Sequence, residues 1–247
     1  MILVIDAGNS RLKWGIAPAG ADVTRGAWHR VGSLDNSRLD ALGDQWASLP
    51  APRRVLCANV AGESSADAIS KALAAWRAQA IWLRAQPRAA GVRNLYEIPG
   101  QLGPDRWAAG VAAWHRKAAA CIVINAGTAT TIDFISDAAE FLGGMILPGI
   151  MLMKQALQRG TAELPLQQGT VRIPSRNTAD AIETGCMIAQ LGAVERARRE
   201  FTAGASLLLS GGWSGLLAPA LAPPCEELPH LVLEGLYVLA CAAEQPA

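Results

Sequence analysis

The chain has 247 residues, 51% hydrophobic and 17% charged, a balance that excludes intrinsic disorder and predicts extensive burial. Its 22 Lys and Arg residues against 21 Asp and Glu leave a formal net charge of +1, so no global basic field exists to hold nucleic acid and any polyanion must be bound by local geometry. Five scattered cysteines without a C-x-x-C pair and three histidines without ligand spacing argue against a disulfide framework and a zinc site.

The N-terminus, MILVIDAGNS, has no basic residue ahead of its apolar run and an aspartate at position 6. It reads as a strand and not as a secretory leader, which makes the cytoplasm the expected compartment. Residues 2–5 (ILVI) stop at Asp6, Gly8 and Asn9, and residues 12–17 (LKWGIA) resume, which predicts an opening β-hairpin. Residues 36–48 suit a short helix, 54–60 a buried strand, 65–79 a helix and 81–85 a short strand. This alternation predicts an α/β protein.

The second half restarts in the same manner, with CIVI at 121–124, a polar turn, then TTIDFI. Laid without gaps on residues 2–17, residues 121–136 bring Val123 under Val4, Ile124 under Ile5, Ala126 under Ala7, Gly127 under Gly8 and Ile135 under Ile16. The shared strand–turn–strand pattern reads as a duplication, with lobes at 1–117 and 118–247. The apolar run 141–153 carries Gly143, Gly144, Pro148 and Gly149 and is too short to span a bilayer; it leads into a helix. Residues 177–200 predict a long helix with Asn177 or Thr178 as N-cap, 206–209 a late strand, and 231–243 a closing apolar helix. Trp14, Trp76, Trp82, Trp107 and Trp114, with Met145, Met151 and Met153, read as core.

Four segments carry polar chemistry. Asp6-Ala7-Gly8-Asn9-Ser10, followed by Arg11 and Lys13, can form a phosphate-binding turn. Glycine lets backbone N–H groups approach an anion, Asn9 and Ser10 add donors, Lys13 supplies charge, and Asp6 can anchor hydrated magnesium. The same residues also suit an ordinary hairpin, and no G-x-x-x-x-G-K-[ST] loop is present. The second turn, from Asn125 through Thr128 to Thr131, offers hydroxyls and amides for the other side of a polyphosphate, or is a threonine-rich hairpin. Ser210-Gly211-Gly212 at a strand end would let a flat ring such as adenine approach, or is a plain turn. Leu102-Gly103-Pro104-Asp105-Arg106-Trp107 opens a helix with Pro104 in its first turn. Asp105 can be a general base and Arg106 a clamp for a carboxylate or phosphate; otherwise they are a first-turn acid and a solvated arginine. The helix N-terminus is expected to lower the Asp105 pKa, leaving a weak base that accepts its proton late in phosphoryl transfer.

In combination, D-x-G-N-[ST] at Asp6 to Ser10, the x-x-G-T-A-T-T-[IL]-D hairpin and L-G-x-D-R-W between them resemble the type III pantothenate kinases, of the acetate-kinase, sugar-kinase, Hsp70 and actin superfamily. The resemblance extends through the glycine-rich stretch at 143–149 and N-T-x-x-A-I-x-x-G from Asn177 to Gly185. It implies two duplicated ribonuclease-H-like lobes with mixed sheets flanked by helices, the actin-like ATPase fold. It also implies ATP-dependent phosphorylation of pantothenate, the first committed step towards coenzyme A. ATP phosphates would be met by Asp6, Ala7, Gly8, Asn9, Ser10, Arg11, Leu12 and Lys13 and by Thr128, with magnesium near Asp6 through water. Pantothenate would be met by Tyr96, Gly103, Pro104, Asp105 and Arg106, with Asp105 as proton acceptor. Thr178 would reach the substrate of the neighbouring subunit in a homodimer, and Gly185, Ala189 and Gly192 would allow close helix approach there.

The family commonly has aspartate where this chain has Asn125, at a position that binds a monovalent cation such as potassium or ammonium. A neutral amide is expected to weaken that cation. Ser10 for the commoner threonine keeps the hydroxyl. Two other readings stay open: a non-catalytic or regulatory accessory protein on the same scaffold, and a kinase of the superfamily acting on another small hydroxy acid or sugar. No nucleic acid or membrane partner is expected.

Overall fold

A computed structural model describes residues 1–161, 164 and 166–243. In chain order the elements are β1 (Ile2–Ala7), β2 (Arg11–Ala17), β3 (Arg30–Asp35), α1 (Leu42–Trp46), β4 (Arg54–Asn59), α2 (Glu63–Leu73), β5 (Ile81–Trp82), β6 (Arg88–Ala89), β7 (Val92–Asn94) and α3 (Pro104–Lys117). They continue with β8 (Cys121–Ala126), β9 (Ala129–Ile135), β10 (Glu140–Pro148), α4 (Ile150–Gly160), α5 (Thr178–Glu200), β11 (Ser206–Ser210), α6 (Ser214–Leu217), β12 (Cys225–Glu227) and α7 (Leu231–Ala242). Two compact units result. The first combines Met1–Ala119 with Ile135–Gly143 and the described part of the chain from His230 onward; the second combines Ala120–Phe134 with Gly144–Pro229.

In the first unit the strand order is β3-β2-β1-β4-β5. The β1–β2 and β2–β3 pairs are antiparallel, and β1–β4 and β4–β5 are parallel. β1 is buried along almost its whole length because both its faces are covered, the usual situation for a strand with a parallel neighbour. Leu3, Ile5 and Ala7 join Leu12, Trp14 and Ile16 on one face, against Leu42, Trp46, Ile69 and Leu73. The alternate residues Ile2 and Val4 point the other way. α7 packs on β1, β2 and β4 and against α3. The two helices meet at Gly235, where a Cβ would lie 1.8 Å from the Ala108 carbonyl oxygen, so no larger residue fits. Arg116 near the end of α3 forms a two-pronged pair with Glu234 of α7, Nε to Oε2 at 2.6 Å and Nη2 to Oε1 at 2.7 Å. This well-satisfied buried pair fixes α3, and with it the residues at its N-terminus.

In the second unit β10, β9, β8, β11 and β12 repeat the same order, with β8–β11 and β11–β12 parallel. Its core joins Ile122, Ile124, Ile132, Leu207 and Leu209 to Ile150, Ile182, Met187 and Val194. The expected mixed α/β architecture with two duplicated sheets is therefore present. The ungapped repeat fails by one residue after the turn. Three residues (8–10) separate β1 from β2 but only two (127 and 128) separate β8 from β9, so Ala17 and not Ile16 occupies the place of Ile135.

Four short or polar strands, β3, β6, β7 and β12, are absent from the sequence reading, and the glycine-rich stretch before α4 is the strand β10. Trp14 and Trp107 are core as expected. Trp82 and Met145 are not: they are 39% and 40% exposed, Trp82 because β5 is a two-residue strand at a sheet edge.

Candidate active site

The first hairpin sets Asp6 opposite Lys13 and Ala7 opposite Leu12. Between the strands, the Gly8 N–H donates to the Arg11 carbonyl at 3.1 Å. Asn36, the first residue of a 3-10 turn after β3, donates from Nδ2 to the carbonyls of both Gly8 and Asn9 at 2.9 Å. Its own N–H donates to the Ser10 carbonyl at 3.2 Å. Three turn carbonyls are thus engaged by one residue, which keeps their lone pairs from an approaching anion. Asn36 has no motif to announce it; its one signal is a polar residue at the start of a predicted helix. The Ala7 and Leu12 side chains belong to the core, so these two residues can reach a ligand only through their backbone. Arg11 is paired with Asp35 at 3.1 Å across β2–β3.

The Asp6 carboxyl is pushed up to about 7, first by desolvation and then by the charge of Asp105, with Lys13 opposing. Two carboxylates in mutual repulsion fit a hydrated divalent cation at Asp6, since positive charge relieves both.

Asp105 sits in the first turn of α3, after Pro104. A Cβ at Gly103 would come within 2.7 Å of its Oδ1, so glycine leaves the space the carboxylate uses. Burial raises the Asp105 pKa; backbone hydrogen bonds at residues 105 and 106 and the Arg106 charge pull it down without prevailing. The expectation of a lowered pKa is overturned here: desolvation outweighs the helix terminus. Arg106 is likewise buried, 6% exposed, and not solvated. Its Nη1 donates to the Tyr96 hydroxyl at 2.8 Å, with the guanidinium carbon 5.6 Å from the Tyr96 ring centroid. The Tyr96 N–H donates to Asn94 Oδ1 at 3.0 Å, and its ring meets Phe141 edge-on at 6.1 Å, with Trp107 at 6.2 Å beyond. Tyr96, Arg106 and Asp105 form a braced set. His230, at the N-cap of α7, lies within electrostatic reach of Lys13; burial and that charge lower its pKa and keep it neutral at pH 7.

In the second unit the Gly127 N–H donates to the Ala129 carbonyl at 3.0 Å and the Gly149 N–H to the Thr128 carbonyl at 2.9 Å. A Cβ at Gly149 would fall 2.3 Å from the Gly127 carbonyl oxygen, so the chain entering α4 lies directly on the turn. Asn125 is half-buried and registers with Ser210 on β11. Gly211 has φ +99°, and a Cβ there would fall 2.3 Å from the Ala126 carbonyl oxygen; the Trp213 N–H donates to that same oxygen at 3.0 Å. Glycine at 211 is thus explained by backbone packing. Thr128 is exposed. Asn125 and Ser210 carry no charge, and no group of three His, Cys, Asp or Glu among the described residues could hold a metal. Thr178 is the exposed first residue of α5, and the N-cap is Asn177, whose Oδ1 accepts from the Asp180 N–H at 2.8 Å.

A sequence profile described as type III pantothenate kinase matches residues 2–200. A type III pantothenate kinase of Aromatoleum aromaticum is 48% identical over 245 residues, covering 97% of this chain and 98% of that protein. The chain belongs to the type III pantothenate kinase family. Two solved structures share the fold. One is a putative Baf family transcriptional activator from Campylobacter jejuni (22% identical, 95% of this chain and 94% of that chain, TM-score 0.61). The other is a putative 2-dehydro-3-deoxygalactonokinase from Sinorhizobium meliloti (15% identical, all of both chains, TM-score 0.59). In this member of the type III pantothenate kinase family, one compact unit gathers Asp6, Lys13, Asp105, Arg106 and Tyr96, and the other carries Asn125, Thr128 and Thr178.

Proposed function

We propose that this chain phosphorylates pantothenate with ATP, giving 4′-phosphopantothenate, the first step of coenzyme A biosynthesis. The first turn, Asp6 to Lys13, holds the ATP phosphates, with Thr128 adding a hydroxyl. Magnesium, carried through water by Asp6, supplies charge neutralisation on the phosphates when bound. Pantothenate lies against Tyr96, Gly103, Pro104 and Arg106. Asp105 takes the hydroxyl proton as the oxygen bonds to the γ-phosphorus and ADP leaves. A raised pKa makes Asp105 a stronger base than an exposed aspartate, and positioning contributes the rest.

The observation that carries this reading is the half-buried Asp105 carboxyl, its pKa raised by desolvation, beside the braced Arg106–Tyr96 pair. Asn125 leaves potassium or ammonium weakly held, so activation by these ions is shallow. We read the enzyme as a homodimer in which Thr178 completes the neighbouring site. In support, a Cβ at Gly185 or Gly192 would meet no atom within 4 Å, and Ile188 on the same helix is 45% exposed. No helix among the described residues is long and apolar enough to cross a membrane, and we place the enzyme in the cytoplasm. We also keep 1–117 and 118–247 as the two duplicated lobes.

A coupled assay for ADP, scanning pantothenate and other small hydroxy acids and sugars with and without potassium, tests the proposal. Pantothenate-dependent turnover with a shallow potassium response is expected. Turnover with another acceptor but not pantothenate would reassign the substrate, and turnover with none would remove the kinase reading.

A further inference from the structure

The start of α5 is held by an unusual set of bonds in the second unit. Three side chains at i, i+3 and i+4 on α5 each accept a backbone N–H from the segment that precedes the helix. Asp180 Oδ1 accepts from Thr170 at 2.8 Å, Glu183 Oε2 from Gly169 at 3.2 Å, and Thr184 Oγ1 from Arg172 at 3.1 Å. The spacing places all three on one helix face. A Cβ at Gly169 would fall 2.2 Å from the Ala179 carbonyl oxygen, so residue 169 runs in direct contact with the first turn.

The three side chains are themselves buried, at 7%, 9% and 8% exposure. Asp180 also accepts from Asn177 Nδ2 at 2.9 Å and pairs with Arg172 at 3.2 Å, while its own N–H is capped by Asn177 Oδ1. The Thr170 N–H, chief among these partners, holds the Asp180 pKa below its ordinary value. Glu183 is tied to Lys154 of α4 in a buried ion pair. Ser175 Oγ lies 3.1 Å from Thr184 Oγ1 and donates to the Arg172 carbonyl at 2.8 Å. Thr178 is exposed and lies between Asn177 and Asp180, which are joined by two hydrogen bonds.

We infer that Asp180, Glu183 and Thr184, with Lys154 behind Glu183, are positioning residues for Thr178. They strap residues 169–175 to α5 so that the Thr178 hydroxyl is presented in one fixed orientation to the substrate. This rests on the reading of Thr178 as a pantothenate contact in the partner's site. A plain helix start would need one cap; it would not need three buried acceptors recruiting the strap amides of Gly169, Thr170 and Arg172. A hydroxyl misplaced by about 1 Å loses much of its binding contribution, so loosening the strap should act through substrate affinity.

The test is steady-state kinetics on Thr184→Val, Thr184→Ser, Asp180→Asn and Thr178→Val, with Thr184→Val and Asp180→Asn also each combined with Thr178→Val, and with melting temperature as the fold control. Thr184→Val and Asp180→Asn are expected to raise the pantothenate KM about five- to tenfold, with the ATP KM and kcat within about twofold. Thr184→Ser should restore the original value, and in the Thr178→Val background the strap variants should add little. A lowered melting temperature with an unchanged pantothenate KM in both Thr184→Val and Asp180→Asn would overturn the inference, as would full additivity with Thr178→Val. If Thr178→Val itself leaves the pantothenate KM untouched, the Thr178 reading fails and the strap is a folding device alone.

Discussion

The two hairpins stand on one scaffold and differ in charge. In β1–β2, Asp6 is the last-but-one residue of β1 and Lys13 the third of β2. In β8–β9 the corresponding residues are Asn125 and Thr131, and the Thr131 Oγ1 is buried without a hydrogen-bond partner. The first turn is braced from behind by a side chain, Asn36; the second is braced by backbone, with Gly149 and Gly211 pressed against it. The comparison teaches that the two copies share a strand order while their turns differ by one residue in length, and that the charged side chains Asp6, Lys13 and Asp105 all fall in the first unit.

The largest effect is expected from making the first hairpin like the second. Asp6→Asn should lower kcat about 100-fold or more, the range seen when a site loses a major electrostatic element. The same variant has a pH signature in the ligand-free protein. A carboxyl raised from 3.8 to about 7 binds its proton more tightly in the folded state, so its stabilisation is complete at low pH and is lost as pH rises through about 7. Asp6→Asn should therefore melt above the wild type at pH 8, with the difference shrinking towards pH 5; differential scanning calorimetry at both values checks it.

The reciprocal change, Asn125→Asp, should sharpen the second hairpin towards the first. The potassium concentration for half-maximal activation is expected to fall about tenfold, equivalent to about 1.4 kcal/mol. Titration of activity with potassium at fixed ATP measures it, and an unchanged curve would separate residue 125 from the cation. The smallest effect belongs to the brace. Asn36→Ala removes two hydrogen bonds of about 1 kcal/mol each from the first turn. It should raise the ATP KM about threefold and leave the pantothenate KM unchanged.

Much of this was legible in the sequence where the signal is local. Both strand–turn–strand segments, the Pro104-Asp105-Arg106 helix start and the Asn177 cap are read from neighbouring residues. What was not legible depends on tertiary packing. β3 (RVGSLD) lacks alternation because it is mostly exposed at a sheet edge, and with it the brace at Asn36 was hidden. Asp105 was expected to be acidified by its helix; only the burial around it reverses the sign. The burial of Arg106 is not written locally, because its partner, Tyr96, lies ten residues away on another segment. The Asp180, Glu183 and Thr184 strap uses backbone donors, which no side-chain pattern reveals.

The most direct measurement is the rate of 4′-phosphopantothenate formation by Asp105→Asn beside the wild type, followed by mass spectrometry with ATP affinity measured in parallel. The account predicts phosphorylated pantothenate from the wild type, and at least about 100-fold less from the variant with ATP affinity within about twofold. A variant that forms product at the wild-type rate, or a folded wild type that forms none, would contradict it.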